Sequence, residues 1–256
     1  MNKYENQTEF YNRSYAYLEL LKQHDEKWFN DYVKFITENI PKESKGLELG
    51  CGMGLAVKLL SDIGYDMIGV DISKLFLEQG GKEYNLPKEK LILADALHLP
   101  FKDKSFDFVC CIDFIEHVSD VKSCLKEIAR VTKKYIVIFS PNYYDIFTWI
   151  KNIFTTTLFN KSLFPFLEIL SFQQMFNLTV KIIGLYPLKI LGIHKEPITF
   201  NPILSDEKTG GDYDLAWIIN FFDIENLLKE YGFYNKNRAT LFAKTRSFIK
   251  IFAERK

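Results

Sequence analysis

Three apolar runs in the first half of the chain each close on an aspartate: DMIGVD (66–71), KLILAD (90–95) and FDFVCCID (106–113). A fourth, GLELG (46–50), runs directly into CGMG, and a fifth, YIVIFS (135–140), is stopped by Pro141. Each run is nearly solid apolar, as strands buried on both faces are. Helical stretches separate them. LAVKLLSDIG (55–64) closes on Gly64 as its C-cap. Ser73 is placed to cap a helix running to about Tyr84. Val118 to Thr132 shows Val121, Leu125, Ile128 and Val131 on one face. Strand and helix in alternation predict an α/β fold, a Rossmann-like parallel sheet with helices on both faces. Right-handed crossovers then bring the C-terminal ends of the strands to one edge, where ligands bind.

The alternation stops outside 46–140. Residues 14–40 predict one helix, ended by Pro41, with Leu18, Leu21, Trp28, Phe29, Tyr32, Val33 and Phe35 at roughly helical spacing. Residues 141–222 are apolar, aromatic and helix-like, punctuated by Pro165, Pro187, Pro197 and Pro202. DIENLLKEYGF (223–233) predicts a helix capped by Asp223 and ended by Gly232. Two strands follow, 234–242 and 246–254. The second alternates apolar and polar residues, as an antiparallel strand near a sheet edge does. The domain reading is therefore an N-terminal helical cap (1–45), a core (46–140 with 223–256), and an inserted apolar helical cap over the substrate (141–222).

Aromatic residues make up 16% of the 256 residues, and they are unevenly placed. Residues 41–140 carry 9, the first 40 residues also carry 9, and 141–222 carry 16. The surplus thus lies in the two covering segments. Lysine plus arginine and aspartate plus glutamate are 33 each, so the net charge is zero. That argues against a nucleic-acid partner bound by overall positive charge. With 47% hydrophobic residues the chain is no disordered polymer.

Cys51, Cys110, Cys111 and Cys124 form no CxxC, and with four scattered histidines they predict no metal site. They read as reduced thiols of a cytoplasmic protein. Cys110 and Cys111, being adjacent on a strand, are predicted to face opposite sides of the sheet. The N-terminus is polar, unlike a signal peptide. No uncharged apolar run reaches the ~18–20 residues that span a bilayer.

The sharpest chemical feature is Leu47-Glu48-Leu49-Gly50-Cys51-Gly52-Met53-Gly54, with glycines alternating between a strand and a helix. Such a turn lets backbone approach a ligand closely. Its third glycine comes one residue earlier than in the dinucleotide fingerprint, which favours a nucleotide-like ligand without a pyrophosphate. Asp71, 21 residues after Gly50, can accept from the 2′ and 3′ hydroxyls of a ribose. Asp95, followed by Ala96, can accept from an exocyclic amine such as that of adenine. Either aspartate could instead only cap the next helix. Glu48 would be costly to bury without a cationic partner, and the α-amino group of an amino-acid-like ligand would supply one.

In this order the motifs resemble those of class I S-adenosylmethionine-dependent methyltransferases of the small-molecule type. LELGCGMG is similar to the family's first motif, GVDIS to its second, ILADALHLPF to its third and FDFVCCIDFIEHV to its fourth. The resemblance implies a seven-stranded, mostly parallel sheet with an antiparallel last strand, and S-adenosylmethionine as cofactor. It places Glu48, Gly50, Cys51, Gly52 and Gly54 by the methionine part and Asp71 on the ribose. It sets Ile72 against adenine, Asp95 with Ala96 on the adenine amino edge, and Ile112 with Asp113 along the cofactor. His117 and Glu116, just past the fourth strand, are the candidate proton acceptors, and His194 in the insertion is a third. The implied acceptor is a small molecule, or one linked to a sugar or lipid. The alternatives are a nicotinamide-dependent oxidoreductase and a non-catalytic binding protein of the same fold. The basic C-terminus (Lys244, Arg246, Lys250, Arg255, Lys256) leaves peripheral membrane contact open beside a solvated strand. Monomer and homodimer are equally compatible with the sequence.

Overall fold

The structure, a computed structural model, describes residues 7–22, 26–141, 204–205, 213–214, 221–236 and 248–256. The inserted cap, including His194, lies almost wholly outside them. Seven strands make the main sheet: β1 (Lys45–Leu49), β2 (Asp66–Asp71), β3 (Leu91–Leu93), β4 (Phe106–Ile112), β5 (Thr132–Pro141), β8 (Phe233–Asn235) and β9 (Phe248–Arg255). A two-residue pair, β6 (Leu204–Ser205) and β7 (Tyr213–Asp214), stands apart. The helices are α1 (Gln7–Arg13), α2 (Tyr15–Lys22), α3 (Glu26–Asn39), α4 (Leu55–Ile63), α5 (Lys74–Glu83), α6 (Val121–Val131) and α7 (Phe221–Glu230).

The strand order is β3-β2-β1-β4-β5-β9-β8. The first five are parallel, and β9 runs antiparallel to both β5 and β8. The chain winds outward from β1 to β3, then restarts at β4 on the other side of β1. This reversal opens a crevice above the ends of β1 and β4.

Alternation along each strand feeds two cores. On one face Leu47, Leu49, Val109, Cys111, Ile136 and Ile138 pack with α6 and α7 through Leu125, Ile128, Ile224 and Leu228. On the other, Met67, Phe108, Cys110, Val137 and Phe139 pack with α3 and α4 through Tyr32, Ile36, Val57 and Leu60. Cys110 and Cys111 therefore do point to opposite faces. Tyr32 and Ile36, both fully buried, make α3 part of the helical layer against the sheet.

Several boundaries differ from the sequence expectation. Two helices, α2 and α3, lie in the 14–40 stretch where the sequence predicts one, and α1 precedes them from Gln7, with Ser14 linking α1 to α2 by accepting from the Leu18 amide and donating to the Phe10 carbonyl. The third strand ends at Leu93, so Asp95 lies two residues beyond it, after the Ala94 amide has donated to the Asp71 carbonyl at 3.1 Å. Helix α6 starts at Val121, because Asp120 caps it by accepting from the Ser123 amide at 3.0 Å. Asp223 is not a cap: α7 begins two residues earlier, at Phe221. Gly232 does end that segment, with φ of 83°. Of the last two strands, Phe233–Asn235 and Phe248–Arg255 are described, and residues 237–247 of the expected stretches lie outside the described residues.

Candidate active site

The turn after β1 is built by backbone. Gly50, Gly52 and Gly54 all have left-handed φ, at 64°, 54° and 82°. The Cys51 amide donates to the Val70 carbonyl at 3.0 Å, tying the turn to β2. A Cβ on Gly50 would lie 2.1 Å from the Phe114 ring, so glycine is needed there for space as well as for φ. From the other side helix α5 closes in: a Cβ on Gly80 would sit 1.8 Å from the Met53 carbonyl oxygen. Gly80 is the residue that lets α5 lie directly on the glycine turn.

Asp71 ends β2 as expected and locks this arrangement. Its Oδ2 accepts from the Gly52 amide and its Oδ1 from the Ser73 amide, both at 2.8 Å. A carboxylate offers about four acceptor sites, so the group keeps capacity for a ligand hydroxyl. Burial raises its carboxyl above the ordinary range, and the Ser73, Gly52 and Ile72 amides pull it back. Ser73 caps α5, accepting from Phe76 at 3.3 Å. Its hydroxyl also donates to the Tyr11 carbonyl at 3.1 Å, and Asn12 Oδ1 accepts from the Leu75 amide at 3.4 Å. Helix α1 is thus pinned over the start of α5, where Tyr11 packs edge-on against Phe76. Leu21 of α2 reaches the glycine turn, 3.3 Å from where a Gly52 Cβ would stand.

Glu48, 2% exposed, lies on the α3–α4 face of β1. Burial raises its carboxyl to about 8, against relief from the Val57 amide in the first turn of α4, while the Asp71 charge adds to the rise. Gly54, at the N-cap of α4, has no side chain to offer, so Glu48 meets that helix end from below. Its Oε2 has no hydrogen-bond partner. A buried, unpaired acceptor beneath a glycine turn is a place for a donor or a cation.

Past β4, Asp113 takes a left-handed φ of 52°, held by its amide donating to Phe139 at 3.0 Å. A 3-10 turn, Ile115–His117, follows. Glu116 is fully buried in it and accepts from the Ser140 hydroxyl at 3.2 Å. His117 is half-buried beside it. Asp95 is exposed and binds its own turn, accepting from the Leu97 amide at 2.9 Å, with His98 Nδ1 3.5 Å away. No helix follows Asp95 directly, so its carboxylate closes a turn rather than capping a helix, and its Oδ2 is the oxygen that faces His98 Nδ1. Ile72 is half-buried beside Asp71, and Ala96 packs against the first core.

The fold gathers Glu48, the glycine turn, Cys51, Asp71, Ile72, Ile112, Asp113, Glu116 and His117 at one sheet edge. Three contributors carry no sequence pattern. Gly80 sits inside a helix, Ser140 looks like a strand residue, and Asn12 reads as helix surface. Among the described residues no cluster of three or more histidine, cysteine, aspartate or glutamate side chains could hold a metal ion.

Such an edge, on a doubly wound sheet of this strand order, is where open α/β folds bind their ligands. Residues 47–138 match the family described as methyltransferase domain. A protein of Methanocaldococcus jannaschii of uncharacterized function is 45% identical over 87 residues, 34% of this chain and 35% of that one. A demethylmenaquinone methyltransferase of Geobacillus is 35% identical over 113 residues, 42% of this chain and 47% of the relative. The chain thus spans about half, or less, of the length of these curated relatives. A solved S-adenosylmethionine-dependent methyltransferase of Methanosarcina mazei shares the fold, with a TM-score of 0.57, 20% identity, and coverage of 86% of this chain and 96% of that one.

Proposed function

We propose that this chain binds S-adenosylmethionine and transfers its methyl group to a small-molecule acceptor. The carrying observation is the tie between Asp71 and Gly52, which sets a carboxylate with spare lone pairs beside a side-chain-free turn. The residues present suit the cofactor. Glycines at 50, 52 and 54 leave room for the methionine part. The orphaned Glu48 Oε2 suits its ammonium. Asp71 accepts from the ribose hydroxyls, Ile72 flanks the adenine, Asp95 with Ala96 meets its amino edge, and Ile112 with Asp113 lines the cleft.

When bound, the cofactor supplies an electrophilic methyl group on a sulfonium. The chain's own work is then mainly positioning, which can lower a barrier by roughly 7–11 kcal/mol. Helices α1 and α2, pinned through Ser73, Asn12 and Leu21, keep water from the turn. Glu116 and His117 stand where the acceptor's proton must leave, and a positioned base adds about 10²–10⁴-fold. For the acceptor, the aromatic-rich segments 1–40 and 141–222 support an apolar or lipid- or sugar-linked molecule rather than a highly charged one. Among the described residues no helix is long and apolar enough to cross a membrane.

Titration calorimetry with S-adenosylmethionine tests the cofactor assignment. Binding is expected in the wild type, and Asp71→Ala should weaken it by ~1.5–3 kcal/mol, the worth of a charge-assisted hydrogen bond. Absence of binding at millimolar ligand overturns the assignment.

A further inference from the structure

Between β3 and β4 the chain runs through residues 94–105 without helix or strand. Such a connection has no ladder of its own to satisfy its backbone groups. Two side chains of α6 supply partners instead. Arg130 uses all five of its N–H donors. Its Nε and Nη2 grip the two oxygens of Glu127 as a fork, at 2.7 and 2.8 Å. Its Nη1 donates to the Phe101 carbonyl at 2.7 Å and to Asp103 Oδ1 at 2.9 Å, and Nη2 donates also to the Leu99 carbonyl at 3.0 Å. Glu127 Oε2 in turn accepts from the Leu99 amide at 2.9 Å. Leu99 is thus held at both its N–H and its C=O, and its side chain is buried in the core that α6 covers.

Leu99 is one of two tethers on a short turn. At the start of that turn the Ala94 amide donates to the Asp71 carbonyl at 3.1 Å. Between the tethers lie Asp95 to His98, closed by the Leu97 amide on Asp95 Oδ1 at 2.9 Å and by the His98 amide on the Asp95 carbonyl at 3.0 Å. These local bonds give the turn its shape. The tethers at Ala94 and Leu99 give it its place relative to Asp71. The Arg130 guanidinium holds the Glu127 carboxyl below the usual carboxylate range, so the fork is charged at neutral pH.

We propose that Glu127 and Arg130 are positioning residues for base recognition. By fixing Leu99 they hold Asp95 and Ala96 in register with Asp71, so that a ligand seated by its ribose meets an acceptor suited to a 6-amino purine and opposed to a 6-oxo one. The inference rests on the cofactor reading above. A carboxylate accepts from an amine, but it faces a carbonyl oxygen with no proton between them. That discrimination requires the carboxylate to stay in place, because a loose turn can swing away from the wrong base. Glu127 and Arg130 act through the turn and need not touch the ligand.

Titration calorimetry compares S-adenosylhomocysteine with its 6-oxo analogue, S-inosylhomocysteine. The wild type should favour the adenine ligand roughly 10–100-fold, as expected when one hydrogen bond is exchanged for an unpaired acceptor. Arg130→Lys keeps the charge but loses the fork. Glu127→Gln keeps an acceptor for the Leu99 amide but loosens the grip on Arg130. In both variants the ratio should fall toward parity. A pair that served the fold alone would lower the unfolding midpoint and both affinities together. A ratio unchanged in the folded variants therefore overturns the proposal. So does a wild type that binds S-adenosylhomocysteine without preferring it, and either result leaves the cofactor reading intact. Failure of both ligands to bind overturns the cofactor reading, and this one with it. Should neither variant fold, amide hydrogen exchange in the wild type decides. At equal occupancy, S-adenosylhomocysteine should slow exchange of the Leu99 amide and the 6-oxo ligand should not. Equal slowing by the two contradicts the proposal.

Discussion

Glu48 ties the stability of the ligand-free protein to pH in a direction opposite to that of most carboxylates. An exposed or paired carboxylate stabilises the fold when charged. Glu48 is 2% exposed and its carboxyl is raised from 4.5 to about 8, first by burial. The folded state therefore binds this proton more tightly than the unfolded chain does. Stability from this group is fully present below pH 4.5 and is lost as pH rises through about 8. At ~1.36 kcal/mol for each pKa unit, that span is worth on the order of 5 kcal/mol. The perturbation is Glu48→Gln, which keeps an acceptor for the Val57 amide and removes the titration. The assay is urea unfolding followed by circular dichroism, at intervals from pH 5 to pH 9. Any fixed cost of the new amide is independent of pH, so only the slope is diagnostic. Glu116 contributes in the same direction in both proteins and cancels. The wild type should lose stability relative to Glu48→Gln by several kcal/mol across the range. Parallel pH curves would refute the reasoning, because they would mean that Glu48 is ionised in the folded protein and has a partner.

Other consequences are open to simpler measurements. Gly80→Ala places a methyl 1.8 Å from the Met53 carbonyl oxygen and must push α5 off the glycine turn. Thermal melts should show a loss of ~1–3 kcal/mol, as for overpacking, together with weaker cofactor binding. Removing Arg255, which donates to the Ala129 carbonyl at 2.5 Å and the Thr132 carbonyl at 3.0 Å and stacks over Phe233, should cost about 1–3 kcal/mol in Arg255→Met by denaturant titration. All four cysteines are buried free thiols, and burial pushes their pKa values up, disfavouring the thiolate. The native protein should therefore react slowly with a thiol reagent at pH 8 and the unfolded chain with all four. Rapid labelling of Cys110 or Cys111 in the native state would contradict the sheet assignment.

Much of this site is legible in the sequence because it is made by local rules. A strand must turn sharply to start the next helix, so Gly50, Gly52 and Gly54 stand out. The run DMIGVD is bounded by its own charges, and β2 occupies the same six residues, 66–71. Ser73 caps where a serine before a helix should. The unforeseen parts depend on chain segments far apart. Gly80 looks like a weak helix residue until Met53 is seen against it. Glu116 gains its buried partners only when β5 brings Ser140 alongside, 24 residues later. Asn12 and Tyr11 become part of the site through α5, more than 60 residues away. Asp223 misleads for a different reason: its capping chemistry is sound, but Phe221 and Phe222 extend the helix past it.

The central claim is that the edge above β1, β2 and β4 holds S-adenosylmethionine with Asp71 on its ribose. A crystal structure of the protein with S-adenosylhomocysteine tests it most directly. The account predicts both ribose hydroxyls within hydrogen-bond distance of the Asp71 carboxylate, with the Gly52 amide bond kept and the ligand ammonium on the Glu48 side of the glycine turn. A ligand bound elsewhere, or a ribose held without Asp71, would contradict it.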